Sequence, residues 1–86
     1  MASFEVRWKT SAKKELRRID RLAFPTLIEI VDKLTEEPLP VGVRKLQGSP
    51  DCYRIRVGDY RAVYRFQSKD RIVEIIRVRH RREAYR

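Results

Sequence analysis

The amino-acid sequence predicts a two-layer α+β domain, in which a helical hairpin packs on an antiparallel sheet in the order β-α-α-β-β-β. Three observations predict it: an opening segment that alternates apolar and polar residues, two segments with apolar residues at helical spacing, and a second half rich in β-prone runs. A chain of 86 residues buries only about 60–65% of its unfolded surface and builds one core. We therefore expect a single domain over residues 1–86.

The first strand is predicted from the alternation at the start of the chain. Between Ser3 and Lys9, the apolar residues Phe4, Val6 and Trp8 alternate with polar residues, as in a strand with one buried face. Trp8 is therefore expected to contribute to the core.

Two short amphipathic helices are predicted to follow. Ser11 is the expected N-cap of the first helix, because a serine hydroxyl can accept a hydrogen bond from the first turn. The apolar stripe of this helix consists of Ala12, Leu16 and Ile19. Pro25 has no N–H to donate and should lie near the start of the second helix. The second stripe consists of Leu27, Ile30, Val31 and Leu34. We expect both stripes to cover the apolar face of the sheet.

The second half of the chain is predicted to form three consecutive antiparallel strands. The segment from Val57 to Tyr60 is typical of a two-residue hairpin turn, with Gly58 at the position that requires a positive φ. If Val57 pairs with Tyr60 across this turn, the register of the two flanking strands is fixed. The pairs on the covered face are then Ile55/Ala62 and Tyr53/Tyr64, and those on the open face are Arg56/Arg61, Arg54/Val63 and Cys52/Arg65. The β-prone run from Ile72 to Val78 supplies the third strand.

The positive charge lies mainly in this second half. The chain has 21 Lys and Arg against 12 Asp and Glu, a net charge of +9. Residues 41–86 contain 13 of the basic and five of the acidic residues, and 11 of those 13 are arginine. Because guanidinium groups suit bidentate contacts with phosphate, a polyanionic partner is the first inference.

Several classes of function are excluded by what the sequence lacks. No apolar run approaches the roughly 18–20 residues of a membrane span, and the start does not resemble a signal peptide, which predicts a cytoplasmic protein without a membrane partner. Cys52 is the only cysteine, and no carboxylates stand at ligand spacing with His80, so no disulfide and no metal are expected. Without a glycine-rich phosphate loop, nucleotide hydrolysis is excluded and no cofactor is expected.

The basic open face and the C-terminal segment together contain the groups that RNA cleavage needs. Arg56 opposite Arg61 is a like-charge pair, which destabilises a sheet unless an anion lies between the two side chains. Arginines can stabilise a dianionic phosphorane, but they stay protonated and cannot act as general base. The base and the acid must therefore come from His80, Tyr85 or a lysine such as Lys45.

At this point the sequence resembles a known family, the RelE toxins of the RelE/ParE superfamily. The resemblance covers nearly the whole chain. Its segments are Ser11 to Leu16, Lys45 to Gly48, Asp51 to Tyr64 and Val78 to Tyr85. It implies the fold predicted above and an endoribonuclease that cleaves mRNA in the ribosomal A site without metal, through attack of the 2′-OH on the adjacent phosphate.

The resemblance also implies which residues form the site. The implied catalytic residues are Arg54, Arg56, Arg61, His80, Arg81 and Tyr85. The remaining basic residues predicted to bind RNA are Lys45, Arg65, Arg77, Arg79 and Arg82. The best-known members have lysines at the positions of Arg54 and Arg56, so in this chain the general base is expected to be His80 or Tyr85, with the arginines as electrostatic clamps.

The implied partners are the ribosome, mRNA and a cognate RelB-like antitoxin, with DNA contacted only indirectly through the antitoxin. A ParE-like inhibitor of DNA gyrase without nuclease activity is the main alternative; ParE-type chains usually lack an ending like His80-Arg81 and Tyr85. A simple RNA-binding module would be expected to stack bases on aromatic residues of the open face. Tyr53 and Tyr64 are predicted on the covered face instead, which disfavours this third possibility.

Overall fold

The computed structural model describes residues 4–84, which form a five-stranded sheet with α-helices packed against it. The elements in chain order are β1 (Glu5–Trp8), α1 (Thr10–Leu16), α2 (Phe24–Leu34), β2 (Arg44–Lys45), β3 (Cys52–Val57), β4 (Tyr60–Gln67), β5 (Ile72–His80) and α3 (Arg81–Ala84). The predicted order is confirmed, with the two short elements β2 and α3 in addition. Within these residues, no helix is long and apolar enough to cross a membrane.

The sheet has the strand order β1-β5-β4-β3-β2. Strands β3, β4 and β5 are antiparallel as predicted. β1 pairs in parallel with β5, so the whole sheet is mixed and not entirely antiparallel. The alternation of residues in β1 predicts which face is buried but carries no information on strand direction, because the side-chain period is the same in both arrangements.

The predicted hairpin register is confirmed pair by pair from Cys52 with Arg65 to Val57 with Tyr60. Gly58 has φ +59°, as the tight turn requires. The side chains of Val57 and Ala62 are accordingly buried on the face that the helices cover. The opposite face of β3 and β4 therefore carries the arginines.

A β-bulge in β5 decides the direction of its C-terminal half. Val63 lies opposite Arg77 and Tyr64 opposite Ile75, which leaves Ile76 without a partner. This extra residue shifts the alternation, so that Val78 follows Ile75 into the core. Without the bulge, Arg77 would point into the core; with it, Arg77 and Arg79 alternate with Val78 and lie on the open face.

The helices cover different parts of the sheet, α1 contacting β5 and α2 contacting β3. The predicted stripes are confirmed: Ala12, Leu27, Val31 and Leu34 are buried, and Leu16, Ile19, Ile30 and Trp8 pack against them. Pro25 lies in the first turn of α2, as expected. The prediction that Ser11 caps α1 is wrong. The helix begins at Thr10 after the extended residue Lys9, whose N–H donates to Ile75 O, so pairing with β5 sets the start of the helix.

Tyr64 anchors the loop between α2 and β2 to the core. Its side chain is fully buried and its hydroxyl donates to the carbonyl oxygen of Pro38 at 2.5 Å. Burial, with a smaller contribution from the nearby Tyr53 hydroxyl, raises the pKa of Tyr64 well above its ordinary value. The hydroxyl therefore remains a hydrogen-bond donor at any physiological pH.

Candidate functional site: an arginine-lined cavity

Four arginines from three neighbouring strands line one open cavity on the sheet face away from the helices. We call Arg44, Arg54, Arg56 and Arg61 the arginine cluster; together with Gly42 they enclose about 440 Å³. The lining contains no carboxylate among residues 4–84. Charge of one sign that converges on an open cavity is typical of an anion-binding site.

The strand register brings the cluster together. Arg56 lies opposite Arg61, and Arg44 lies opposite Arg54 across the next strand pair. Neighbouring strands are about 4.7–4.9 Å apart, so the four side chains arise from a patch two strand spacings wide. Arg54 and Arg61 are half-buried, whereas Arg44 and Arg56 are exposed. Packing thus fixes the aliphatic stems of Arg54 and Arg61, which favours a preformed site.

Arg44 is the member that the sequence did not predict as a site residue. It belongs to a strand of two residues, which is too short for any periodicity to indicate. Its position just before Lys45, in a segment that resembles the toxin family, was the available signal.

Arg81 is held against the same hairpin turn as Arg56. The Nε of Arg56 donates to Gly58 O at 3.0 Å. The backbone N–H of Arg81 donates to Asp59 O at 2.7 Å, and its Nε lies 3.9 Å from an Asp59 carboxylate oxygen. The two-residue turn therefore positions predicted site residues from both β3 and α3.

His80 lies on the other side of the sheet. Its ring packs edge-on against Tyr60 at 5.3 Å between centroids, and it lines a second cavity of about 350 Å³ with Asp20 and Thr26. The Nδ1 of His80 accepts the backbone N–H of Arg82 at 3.2 Å. The structure therefore does not bring His80 into the arginine cluster. Tyr85, the other predicted base, lies outside the described residues.

The predicted RNA-binding residues fall into different environments. Arg77 is exposed on the open face, opposite Val63. Arg65 lines a smaller cavity of about 180 Å³ with the acidic residues Asp70 and Glu74, so the purely positive surface ends there. Lys45 is exposed opposite Tyr53, a residue of the covered face.

Two further predicted RNA-binding residues lie around the end of β5. Arg82 is exposed in α3. Arg79 lies opposite Arg61 but its Nε donates to Glu15 at 2.8 Å. Arg79 therefore arises on the open face but is held by a carboxylate from α1.

The arginine cluster is better suited to binding a phosphate group than to stabilising the fold. Like charges directly opposite on a sheet are unfavourable, and arginine presents a planar fork of donors that matches phosphate oxygens. Among residues 4–84, no three His, Cys, Asp or Glu side chains converge as metal ligands would. Within the described residues, the chemistry that this site offers is electrostatic stabilisation of a phosphate.

Comparison with known proteins gives one consistent result. The profile of a family described as the ParE toxin of the type II toxin–antitoxin system parDE matches residues 6–85. The toxin RelG of Mycobacterium tuberculosis is 33% identical over 84 residues, which is 96% of this chain and 97% of RelG. RelE in the RelE–RelB complex of the archaeon Pyrococcus horikoshii superposes with a TM-score of 0.82 at 31% identity, covering 92% of this chain and 96% of that one.

The isolated RelE toxin of Escherichia coli superposes almost as well, with a TM-score of 0.79 at 26% identity and 96% of each chain covered. The two-layer fold with its mixed five-stranded sheet is thus that of the RelE structures. The ParE description fits at the level of the superfamily, whereas the relatives named above are RelE-type toxins. The chain therefore belongs to the RelE family, within the RelE/ParE superfamily, the toxins of type II toxin–antitoxin systems.

Proposed function

We propose that this toxin is an endoribonuclease that cleaves mRNA in the ribosomal A site. The observation that carries the proposal is the arginine cluster, four guanidinium groups around a cavity of about 440 Å³ whose described lining contains no carboxylate. A cleaved phosphodiester passes through a dianionic phosphorane, and preorganised cations stabilise such a transition state more than the ground state. Gyrase inhibition without bond cleavage would not require this convergence of charge.

The proposed reaction is an internal transesterification. The 2′-oxygen of the ribose attacks the adjacent phosphorus, the bond from phosphorus to the 5′-oxygen breaks, and the products carry a 2′,3′-cyclic phosphate and a 5′-OH. The proton leaves the 2′-OH to a general base, and a general acid returns a proton to the 5′-oxygen. Arg54, Arg56 and Arg61 are proposed to hold the nonbridging oxygens, with Arg81 contributing from across the hairpin turn.

For proton transfer, Tyr85 is the first candidate and His80 the second. A neutral imidazole has one acceptor nitrogen, and the Nδ1 of His80 already accepts the Arg82 N–H. For His80 to act as base through this nitrogen, the hydrogen bond from Arg82 must break. Tyr85 is proposed on the sequence alone, as the hydroxyl in the segment that follows Arg81 and Arg82.

Further basic residues are proposed to guide the RNA strand to the cluster. Arg77 and Arg82 are exposed, so their guanidinium groups can contact flanking phosphates. Lys45 and Arg65 are proposed to contribute long-range attraction, since one arises on the covered face and the other has acidic neighbours.

A RelB-like antitoxin is the proposed protein partner. The complexes from Pyrococcus horikoshii and from Mycobacterium tuberculosis that superpose on this chain pair a RelE toxin with a RelB antitoxin. A chain with a net charge of +9 fits a partner that covers positive surface. Contacts with DNA are proposed to be made by the antitoxin.

Induction of the toxin alone in a bacterial host tests the proposal. Mapping new 5′ ends of mRNA should reveal cuts within translated codons, and these cuts should disappear when translation is blocked before elongation. Arg61→Ala should abolish the cuts while the protein accumulates to the same level. Intact mRNA in arrested cells that contain the wild-type toxin would contradict the proposal.

The family profile described as a ParE toxin supports one alternative function, inhibition of DNA gyrase. The same induced cells distinguish the two functions through their plasmid DNA. Gyrase inhibition predicts loss of negative supercoiling with intact transcripts, whereas mRNA cleavage predicts cut transcripts with normal supercoiling.

A further inference from the structure

Glu15 makes two hydrogen bonds to the C-terminal half of β5. One carboxylate oxygen accepts the backbone N–H of Val78 at 3.0 Å, and the other accepts the Nε of Arg79 at 2.8 Å. The Glu15 side chain is only 21% exposed, and that of Arg79 is 39% exposed. A partly buried, charge-assisted contact of this kind is stronger than an ion pair on the open surface.

The first of these bonds completes the edge of the sheet. β1 pairs with β5 only as far as Trp8 opposite Ile75, after which the chain enters α1. The N–H of Val78 therefore has no strand partner on this edge, and Glu15 from α1 accepts it. The bond to the Val78 N–H thus fixes the position of the carboxylate that also binds Arg79.

The second bond engages an arginine that the register directs to the site. Arg79 lies opposite Arg61, which lies opposite Arg56, so one row across the open face contains three arginines. The cavity of the arginine cluster is lined by Arg56 and Arg61 but not by Arg79. The Arg79 guanidinium is turned instead toward Glu15 at the edge of β5.

We propose that Glu15 is a positioning residue that withholds Arg79 from the arginine cluster and so limits how many guanidinium groups meet the RNA backbone. The inference rests on the proposed function, because it assumes that the cluster binds phosphates. In this arrangement, the Glu15 carboxylate holds the Nε of Arg79, and Arg79 does not line the cavity of the arginine cluster. Loss of the Glu15 charge adds one phosphate contact to the open face.

The salt dependence of binding to a single-stranded oligodeoxynucleotide tests the inference. Such a strand has no 2′-OH and is not cleaved, so binding is measured without the reaction. Glu15→Gln retains an oxygen for the Val78 N–H and removes the charge that holds Arg79. One added contact steepens the salt dependence, so the variant should lose about 2.6-fold more affinity than wild type between about 50 mM and about 200 mM salt.

Glu29→Gln is the matched control for the change in net charge, because it also removes one negative charge. Glu29 lies in α2, is 67% exposed and is paired only with the neighbouring Lys33 among described residues. Its substitution changes the net charge equally but releases no arginine onto the sheet face, so the additional salt-dependent loss should be much smaller. When Arg79→Ala is also present, Glu15→Gln should steepen the salt dependence of binding no more than Glu29→Gln does.

Glu15→Asp provides a second variant with unchanged net charge. Its carboxylate is one methylene shorter, so it should hold Arg79 less well and steepen the salt dependence as Glu15→Gln does. If both Glu15 variants showed the same salt dependence of binding as wild type, the inference would be overturned while the proposed function stayed intact. The same conclusion would follow if Glu15→Gln steepened the salt dependence even when Arg79→Ala is also present. Failure of every form, wild type included, to bind the strand would instead contradict the phosphate site itself.

Discussion

Arg56 and Arg61 lie directly opposite each other on adjacent antiparallel strands, on the sheet face away from the helices. A like-charge pair in this position opposes folding by some tenths of a kcal/mol or more. The hydrogen bond from Arg56 to Gly58 O and the packing around half-buried Arg61 retain the pair despite that cost. An anion bound between the two side chains would therefore stabilise the folded protein.

Inorganic pyrophosphate should accordingly raise the melting temperature of the wild-type protein. A ligand that binds only the folded state stabilises it by about 2.7 kcal/mol at 100 times its dissociation constant. Arg61→Ala should remove most of this stabilisation, because it takes one of the two opposed guanidinium groups away. Thermal unfolding with and without pyrophosphate measures the effect.

Arg21→Ala is the control for that experiment. Arg21 is exposed in the turn between α1 and α2 and does not line the arginine cavity. It lowers the net charge as much as Arg61→Ala does, yet the stabilisation by pyrophosphate should remain. Equal losses in the two variants would show that binding reflects overall charge only.

The hairpin turn should tolerate asparagine but not alanine at Gly58. This residue has φ +59°, and a Cβ there would meet no atom within 4 Å, so the cost of substitution comes from the backbone conformation alone. Because Asp59 does not have a positive φ, the turn is of type II′, and its first central position favours glycine and, among other residues, asparagine. An alanine held in this sparsely populated conformation costs about 1–3 kcal/mol. In urea unfolding, the wild-type protein should therefore be the most stable, Gly58→Asn less stable and Gly58→Ala the least stable. Equal stabilities of the two variants would show that the turn relaxes to another conformation.

Tyr64→Phe should lower stability by about 1–2 kcal/mol, since it leaves the Pro38 carbonyl without its donor. Because the pKa of Tyr64 is raised, the unfolded chain ionises at lower pH than the folded protein does. The stabilising effect of the hydroxyl is complete below about pH 10, the ordinary tyrosine pKa, and declines above it by roughly 1.4 kcal/mol per pH unit. Tyr53→Phe, at a half-buried neighbour, is the control.

Stability measured from neutral pH to beyond pH 10 checks this sign. The difference between wild type and Tyr64→Phe should be constant up to about pH 10 and should then narrow. A difference that widens with pH would mean that the Tyr64 hydroxyl ionises more easily in the folded protein than in the unfolded chain.

Tyr85→Phe should reduce mRNA cleavage far more than His80→Ala. A positioned general acid or base contributes about 10²–10⁴-fold to the rate. The His80 ring lies against Tyr60 with its Nδ1 engaged, so its removal should affect the chemical step less. Single-turnover cleavage rates of the two variants test this order, and the reverse order would identify His80 as the proton-transfer group.

The hairpin and its arginine pair could be predicted because local chemistry specifies them. Gly58 fixes the turn type, the turn fixes the register, and the register sets Arg56 opposite Arg61. The helical stripes were predictable for the same reason, since apolar spacing within one segment decides which side chains are buried.

The remaining features depend on contacts between distant segments. The bulge that leaves Ile76 unpaired sets the face on which Arg77 and Arg79 lie, and no residue in the strand signals it. Arg44 joins the site through a strand of two residues. The separation of His80 from the arginine cluster and the hold of Glu15 on Arg79 are likewise visible only once α1, β5 and the turn are assembled.

The most direct test of the arginine cluster is the rate of mRNA cleavage on purified ribosomes that carry an open A-site codon. The account predicts that the wild-type toxin cuts the codon and leaves a 2′,3′-cyclic phosphate, and that Arg56→Ala and Arg61→Ala each react about 10²–10³-fold more slowly. Arg21→Ala should react at the wild-type rate. Cleavage by Arg61→Ala as fast as by wild type, or no cleavage by the wild-type toxin, would contradict the central claim.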